Sequence, residues 1–452
     1  MAGRYGSASY LGLASGCVLL MATMTTRAQT LEESITSLTA TGSAFTAITH
    51  TRVDAGDGWD STTEPSLGVS GNVGGTLQSG ASHLALRYGG SLETSRDLPT
   101  GDQTDNSSIN GLARYNYFDP ANPVDFNLGH TIQSVRNNTG FVVNPSSYDT
   151  RQTLTAGAGL RLYPGELTSV RMSVQAGQSF GSGALSSDES VTASAELARR
   201  LSERSTGSLV ASRSWSNEDA LDITIDSAQL IYDRALETGQ FRVGAGASQA
   251  NTDYPDGSSS TSDAVTGFLE RSWIGDGFRT AVSYNRRLSD SVTDISLNLP
   301  PVFDFLPDSV RVRDLVVSDS VALSHSNNNL CDICNAGFGL EAAVLRSQIT
   351  DVKTHEYSAN LNVGFQLTNL QRLEFAYIWQ ADAGENAGTF DQQIHRFNTR
   401  WSRQLAELTT FGVEFNQSYL DSRLATPNEQ QFVLKLVLTH GFSMMGAGPE
   451  AK

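Results

Sequence analysis

The chain has 452 residues and a mass of 48.5 kDa, a length that fits either several soluble domains or one large barrel. Hydrophobic residues make up 39% and charged residues 17%, both below the usual shares in soluble proteins, and 41 glycines with abundant Ser, Thr, Asn and Gln fill the difference. This composition disfavours a helical bundle. The net charge of -17 argues against a nucleic-acid-binding protein, because phosphate binding needs a basic face.

The beginning of the chain predicts a secretory signal peptide over residues 1–28. Arg4 provides a short positive start, residues 11–24 are largely apolar, and a small-residue cleavage site ends at Ala28. No later stretch is long and apolar enough for a membrane helix, which needs about 18 residues. An exported chain of this kind is either soluble or a β-barrel. We expect residues 29–442 to form one barrel domain and residues 443–452 to form a C-terminal tail.

The mature sequence is built from short segments in which apolar and polar residues alternate. The stretches 153–162, 360–367 and 411–416 show this period of two, which indicates β-strands. Each segment has roughly the 9 to 11 residues of a transmembrane β-strand. The segments number about 20, from residues 42–53 to residues 431–442, and the sequence is also compatible with 18 strands. A change of face near Ser227 predicts a β-bulge there.

Loop lengths and aromatic residues distinguish a membrane barrel from a soluble sandwich. Short connections such as 78–80 and 163–166 alternate with long polar ones such as 93–107, 136–148 and 289–309. Aromatic residues gather before both kinds of connection, as in the two interfacial girdles of a membrane barrel. The prediction is an all-β fold: a single transmembrane antiparallel β-barrel in the outer membrane of a Gram-negative bacterium, in contact with its lipids, with short periplasmic turns and long extracellular loops.

The last predicted strand carries a family resemblance. Residues 432–442 alternate in polarity and end on Phe442, and this segment resembles the closing strand of Gram-negative outer-membrane proteins. The resemblance implies that Phe442 belongs to a signal read by the barrel-assembly machinery, although ten residues follow it here and the family's aromatic residue is usually the last. More loosely, the chain resembles uncharacterised outer-membrane barrels associated with exopolysaccharide systems, which implies a surface polysaccharide as a partner.

Strand parity predicts which charged residues line the lumen. The candidates are Arg87, Arg114, Arg161, Arg171, Arg242, Arg279, Arg396, Arg400, Lys435, Glu341, Glu374 and Glu414. Because charged rings set the selectivity of a pore, this net basic wall predicts a porin-like channel for passive passage of small hydrophilic solutes, anions or saccharides among them. The alternative is that these charges only pair across strands. The apolar segment 289–309 is expected to fold inward as a constriction, or to pack on the rim or on a partner.

Two smaller features complete the site predictions. Loop carboxylates such as Asp54, Asp57 and Asp60 lack the ligand spacing of a calcium loop, so we expect solvated charges and neither metal nor cofactor. Cys331 and Cys334 predict a structural disulfide, rather than a redox pair or a zinc site. The parity places it in an unusually long periplasmic connection, residues 326–336.

An enzymatic function is not expected. The seven histidines are scattered singly along the chain, and no nucleophile elbow, zinc-binding pair or phosphate-binding loop occurs. The alternative to a channel is a non-conducting structural or assembly barrel of a surface exopolysaccharide or secretion system. The small residues Ala193, Ala195 and Ala211 are a weak candidate for subunit contact, and the sequence predicts no particular oligomeric state.

Overall fold

The computed structural model describes residues 35–445, except residues 55, 57, 99, 137–147, 182–187, 219–220, 255, 291–294, 297–308, 311–314, 349–350, 386–388 and 424–426. The predicted signal peptide and most of the predicted C-terminal tail lie outside the described residues.

The described residues form strands throughout. In chain order they are β1 (Ile35–Asp54), β2 (Trp59–Ser79), β3 (Ser82–Arg96), β4 (Gln103–Phe118), β5 (Val124–Arg136), β6 (Tyr148–Gly165), β7 (Thr168–Gly181), β8 (Asp188–Ser202), β9 (Ser205–Glu218), β10 (Leu221–Leu236), β11 (Gly239–Asp253), β12 (Ser259–Ile274), β13 (Phe278–Asp290), β14 (Ile295–Ser296), β15 (Ser309–Val310), β16 (Leu315–Cys331), β17 (Cys334–Ser347), β18 (Lys353–Thr368), β19 (Gln371–Ala383), β20 (Gln392–Ala406), β21 (Thr409–Ser422) and β22 (Glu429–Met445).

Twenty of these strands form one antiparallel sheet that closes on itself. Each strand pairs with its neighbours in the chain, and β1 pairs with both β2 and β22, so the sheet has no free lateral end. β14 and β15 pair only with each other. The predicted single barrel of about 20 antiparallel strands is confirmed. In the described part of the chain, no helix has the length and apolar character needed to cross a membrane.

The strands are longer than expected, and the connections are correspondingly shorter. β1 has 20 residues and β2 has 21, about twice the length needed to cross a bilayer. β3 continues to Arg96 and β4 begins at Gln103, which reduces the predicted loop 93–107 to residues 97–102. Likewise β22 runs past Phe442 to Met445, so the first residues of the predicted tail belong to the closing strand.

The pairing register divides the wall into two faces. Leu361 pairs with Tyr377, which pairs with Phe397, and these residues share a face with large exposed side chains such as Leu230 and Leu67, which are 66% and 65% exposed. The opposite face is rich in Ser, Thr, Asn, Gln and Gly. In a transmembrane barrel the apolar face contacts lipid and the polar face lines the interior. We call them the outer face and the inner face.

The register of β10 corrects the predicted bulge. β10 pairs without a shift with β9 and β11 over its length, so the strand does not change face near Ser227. Instead, Ile223, Ile225 and Ile231 occupy inner-face positions, where the alternation predicts polar residues. The reason is tertiary packing on the inside of the barrel at Ile225, which is described below.

Candidate functional site

The inner face collects the charged residues predicted to line the lumen. The register places the twelve candidates on this one face: Arg87 opposite Gly74, Arg114 opposite Ala85, Arg161 opposite Arg171, Arg242 opposite Glu270, Arg279 opposite Ser326, Arg396 opposite Ser418, Arg400 between Glu374 and Glu414, Lys435 opposite Glu414, and Glu341 opposite Ser358. The predicted parity therefore agrees with the register of the barrel at each of these positions.

Many of the inner-face cations have carboxylate partners. Asp125 lies 3.1 Å from Arg161 Nε and 3.9 Å from Arg171 Nη2. Arg242 lies 3.9 Å from both Asp233 and Glu270, and Arg400 Nε lies 3.3 Å from Glu414 Oε1. A paired guanidinium presents little net charge to a passing solute. Asp233 and Glu270 are not among the predicted lumen acids, and the wall they join is less basic than predicted.

Three of the predicted inner-face arginines have no carboxylate within ion-pair distance among the described residues: Arg87, Arg114 and Arg279. All three side chains are exposed. Arg87 and Arg114 are diagonal neighbours, because Arg114 pairs with Ala85, two residues before Arg87 on the same face. Lys435 lies on the inner face of β22, with its Nζ 3.8 Å from the ring centre of Phe45.

Other inner-face charges form a buried pair and an acidic group. Arg151 Nη2 lies 2.9 Å from Asp188 Oδ2, and both side chains are almost fully buried. On β18 and β19, Glu356 and Asp382 are register partners, and Glu341 lies on the neighbouring strand of the same face. Glu341 was predicted from parity, whereas the other four residues were not. The inner face thus has a basic sector around β3 and β4 and an acidic sector around β17 to β19.

The part of the β13–β16 hairpin beyond Arg286, towards the extracellular side, folds into the barrel. β12 and β13 pair only from Gly267/Arg286 to Ile274/Arg279, although both strands continue beyond Gly267 and Arg286. Beyond that point Leu288, Leu315 and Val317 form a buried cluster with Ala250 and Ala264.

The parity of these residues fixes the direction of the fold. Leu288 and Val317 continue the outer-face parity of their strands, whereas Ala250 and Ala264 lie on the inner face of β11 and β12. Contact between these two sets requires the hairpin to lie on the lumen side of β11 and β12. The hairpin buries Ala250 to 0% exposure.

The chain between β13 and β16 reaches the opposite part of the wall. β14 and β15 form a two-residue pair, and β15 approaches β5 to within contact distance. β5 and β13 are separated along the wall by β6–β12. Within the predicted segment 289–309, the described residues therefore start at the inward hairpin and end beside a distant strand.

The two cysteines lie at a tight turn rather than in a long connection. β16 continues to Cys331 and β17 begins at Cys334, so only residues 332–333 join them. The Cα atoms are 5.0 Å apart and a disulfide joins the two side chains. The predicted long periplasmic connection 326–336 is wrong, because the polar residues before Cys331 extend β16 instead of forming a loop.

The outer face carries the residues predicted for lipid and assembly contacts. Phe442 lies on this face, opposite Ala40, with its ring 4.7 Å from that of His440. Its part in an assembly signal stays a prediction.

A shallow groove of about 1320 Å³ runs along the outer face from β5 to β12 and includes the predicted alanines Ala193, Ala195 and Ala211. Ala228 and Ala247 extend this small-residue floor. Towards the extracellular side, the groove is bordered by Arg213 and Asp226, whose charged groups are 3.5 Å apart.

The loop carboxylates accept hydrogen bonds from residues of their own loops. The Gly56 backbone N–H donates to Asp54, and Thr100 donates to Asp97. Ser258 donates to Asp256 from its hydroxyl and its backbone and lowers the pKa of the Asp256 carboxyl. Within the described ranges, no group of three or more His, Cys, Asp or Glu side chains is arranged to hold a metal ion.

Comparisons with known proteins find likeness in structure but not in sequence. No family model matches the chain, and no curated protein does. The ferric enterobactin receptor PfeA of Pseudomonas aeruginosa is 12% identical, with 90% of this chain and 80% of that chain covered and a TM-score of 0.50.

Two further structures match at lower TM-scores. OccK3 of P. aeruginosa is 12% identical over 92% of this chain and 98% of its own, with a TM-score of 0.35. OccAB4 of Acinetobacter baumannii is 10% identical over 90% and 99%, also with a TM-score of 0.35. At these identities the likeness concerns the fold alone, and the chain has the fold of Gram-negative outer-membrane β-barrel proteins.

Proposed function

We propose that the protein is an outer-membrane channel for passive passage of small hydrophilic solutes. The observation that carries the proposal is the closed sheet of twenty strands with a polar inner face. Barrels of about 16 to 18 strands already enclose an aqueous channel. A wall of hydroxyl, amide and glycine positions offers hydrogen bonds to water and to sugar-like solutes along its length, and the unpaired arginines favour anions.

The inward hairpin narrows this channel. The cluster of Leu288, Leu315 and Val317 against Ala250 and Ala264 fixes the start of the segment on the lumen side, and β15 lies near β5. A constriction of this kind limits solute size without closing the barrel. It also accounts for the apolar composition of residues 289–309, which a freely solvated loop does not need.

Single-channel recording of the refolded mature protein in a planar bilayer tests the channel proposal. The expected result is steady unitary conductance with a preference for anions. Silence from a barrel whose folding is shown by heat-modifiable migration and β-sheet circular dichroism would contradict it, and would favour the non-conducting structural or assembly role.

The constriction is tested by releasing the hairpin. Leu288→Asp with Val317→Asp places carboxylates against the apolar surface of Ala250 and Ala264, where burying a charge is costly. We expect a larger unitary conductance, matching that of a variant lacking residues 291–314. The control Ser320→Asp adds a carboxylate on the inner face of the same strand, outside the cluster. Equal conductance in the double variant, the deletion and the wild type would refute the constriction.

A further inference from the structure

The inner wall of β1 to β4 contains a hollow near the periplasmic ends of the strands. Its volume is about 390 Å³, near the lower end of ligand pockets. Thr39, Thr41, Asn72, Thr76 and Arg87 line it, and all five belong to the inner face. A hollow of this size accommodates one sugar ring or a molecule of similar bulk.

Glycine creates the space. Gly74 lies in the wall of the hollow, and a Cβ atom added there would meet the hydroxyl of Thr39 and the backbone carbonyl of Leu86 only at 3.6 Å, which is ordinary contact. At Gly89, by contrast, the side chain of Asn72 already fills the Cβ position. The missing side chain at Gly74 therefore leaves room, and the Cβ of a larger residue at this position would meet only ordinary contacts.

The charge at the hollow is positive and uncompensated. Arg87 lines it, and Arg114 is the diagonal neighbour. Neither has a carboxylate within ion-pair distance among the described residues. Asp125, an inner-face carboxylate on β5, is already held by Arg161 and Arg171. Guanidinium groups bind carboxylates through two parallel hydrogen bonds, so this part of the wall suits an anion.

The remaining lining adds hydroxyl and amide groups. Thr39 donates to the Gly74 carbonyl at 3.4 Å. The Thr76 hydroxyl donates to that of Thr36 at 3.2 Å and lies 2.8 Å from that of Ser37, so both threonines keep acceptor positions. Each hydroxyl has one donor and two acceptor positions, so these contacts leave capacity for a ligand. The Asn72 amide offers further donors and an acceptor. A ligand with a carboxylate but no hydroxyl groups would contact the arginines and would leave the threonine hydroxyls hydrogen-bonded to water.

We propose that this hollow is a solute subsite for a small hydroxylated monocarboxylate, a sugar acid being the class that fits. The carboxylate contacts Arg87, with Arg114 beside it, and the ligand hydroxyls contact Thr39, Thr41, Thr76 and Asn72. The proposal rests on the proposed channel function for its physiological meaning, while the binding itself does not depend on conduction.

The test is glucuronate binding to the full folded barrel, measured by calorimetry in detergent and by glucuronate-dependent interruption of current in planar bilayers. Glucose and acetate are the matched probes, each offering half of the proposed contacts. We expect glucuronate to bind more tightly than either. Arg87→Gln should weaken glucuronate binding by about 10-fold, the loss of one charge-assisted hydrogen-bonded contact, and Gly74→Val should abolish it by filling the space. Arg200→Gln, on the inner face of β8, should leave the affinity unchanged.

The outcomes separate the two proposals. Glucuronate binding without conductance overturns the channel and keeps the subsite. Conductance with equal affinities for glucuronate and acetate, or with glucuronate binding unaffected by Gly74→Val and Arg87→Gln, overturns the subsite and keeps the channel. Equal weakening by Arg200→Gln would mean that only the general charge of the lumen acts on the ligand, which also overturns the subsite.

Discussion

The buried ion pair of Arg151 and Asp188 allows a test of whether water screens the charges at this part of the inner face. Its charged groups are 2.9 Å apart, and the side chains are 5% and 6% exposed. The pair joins β6 to β8 across β7, whose Ser179 is also buried. Asp188→Asn keeps the shape of the side chain but removes its charge. The Arg151 guanidinium then loses the negative charge that lies 2.9 Å away, in a site that water hardly reaches.

We expect Asp188→Asn to lower the free energy of unfolding by about 3–5 kcal/mol, the usual cost of removing one partner of a buried pair. No cavity contributes, since the volume is unchanged. The double variant Arg151→Met, Asp188→Leu should recover most of this loss, because an apolar pair of similar volume is often neutral. An exposed control pair is available: Arg204 and Glu237 are 3.6 Å apart and 63% and 85% exposed, and Glu237→Gln should cost less than about 1 kcal/mol.

The assay is reversible urea unfolding of the barrel in lipid vesicles, followed by tryptophan fluorescence. Similar losses for Asp188→Asn and Glu237→Gln would refute the reasoning, because they would mean that water screens the inner-face pair as it screens the exposed one. A double variant as unstable as Asp188→Asn would show that the site depends on polar contacts beyond the charge balance.

Two further predictions concern the faces of the wall and the disulfide. Leu230→Lys, on the outer face, should destabilise the barrel in vesicles by about 2–4 kcal/mol, whereas Thr192→Lys, on the inner face, should change stability little; equal effects in the same unfolding assay would reverse the assignment of faces. Replacing Cys331 and Cys334 together by Ser should cost at most about 2 kcal/mol, because the disulfide closes a very short loop, and a larger loss measured under non-reducing conditions would show that the disulfide stabilises more than its own turn.

The architecture follows from the sequence because each barrel strand obeys a local rule. Side chains alternate between lipid and lumen with a period of two, so residues 360–367 or 411–416 reveal both the strand and its faces. The ends of the strands do not follow such a rule. Above the bilayer both faces meet water, alternation between apolar and polar residues is no longer required, and strands such as β3 and β11 continue through Ser, Thr and Asp residues that resemble loop sequence. The predicted loops were therefore too long.

The restriction to patterns within one strand also explains which residues of the candidate site were not predicted. Parity identifies the face of Arg242, but its partners Asp233 and Glu270 lie on β10 and β12, and pairing across strands depends on the register between them. Register is a property of two segments at once, so a single-strand pattern does not contain it. The net positive charge of the wall was overestimated for this reason. The arginines without a carboxylate partner can be identified only when the strands are placed side by side.

The exceptions to the alternation identify the second layer of the structure. Ile225, Ala250 and Ala264 are apolar at inner-face positions, where the alternation predicts polar residues. Their partners Leu288 and Val317 continue outer-face parity in the part of β13 and β16 that has separated from β12. Either group of apolar side chains would be exposed to a polar environment on its own. In contact, the two groups bury each other. On β10 to β12 the apolar residues at lumen positions therefore indicate where the hairpin folds inward, and this signal was present in the sequence as the apparent change of face near Ser227.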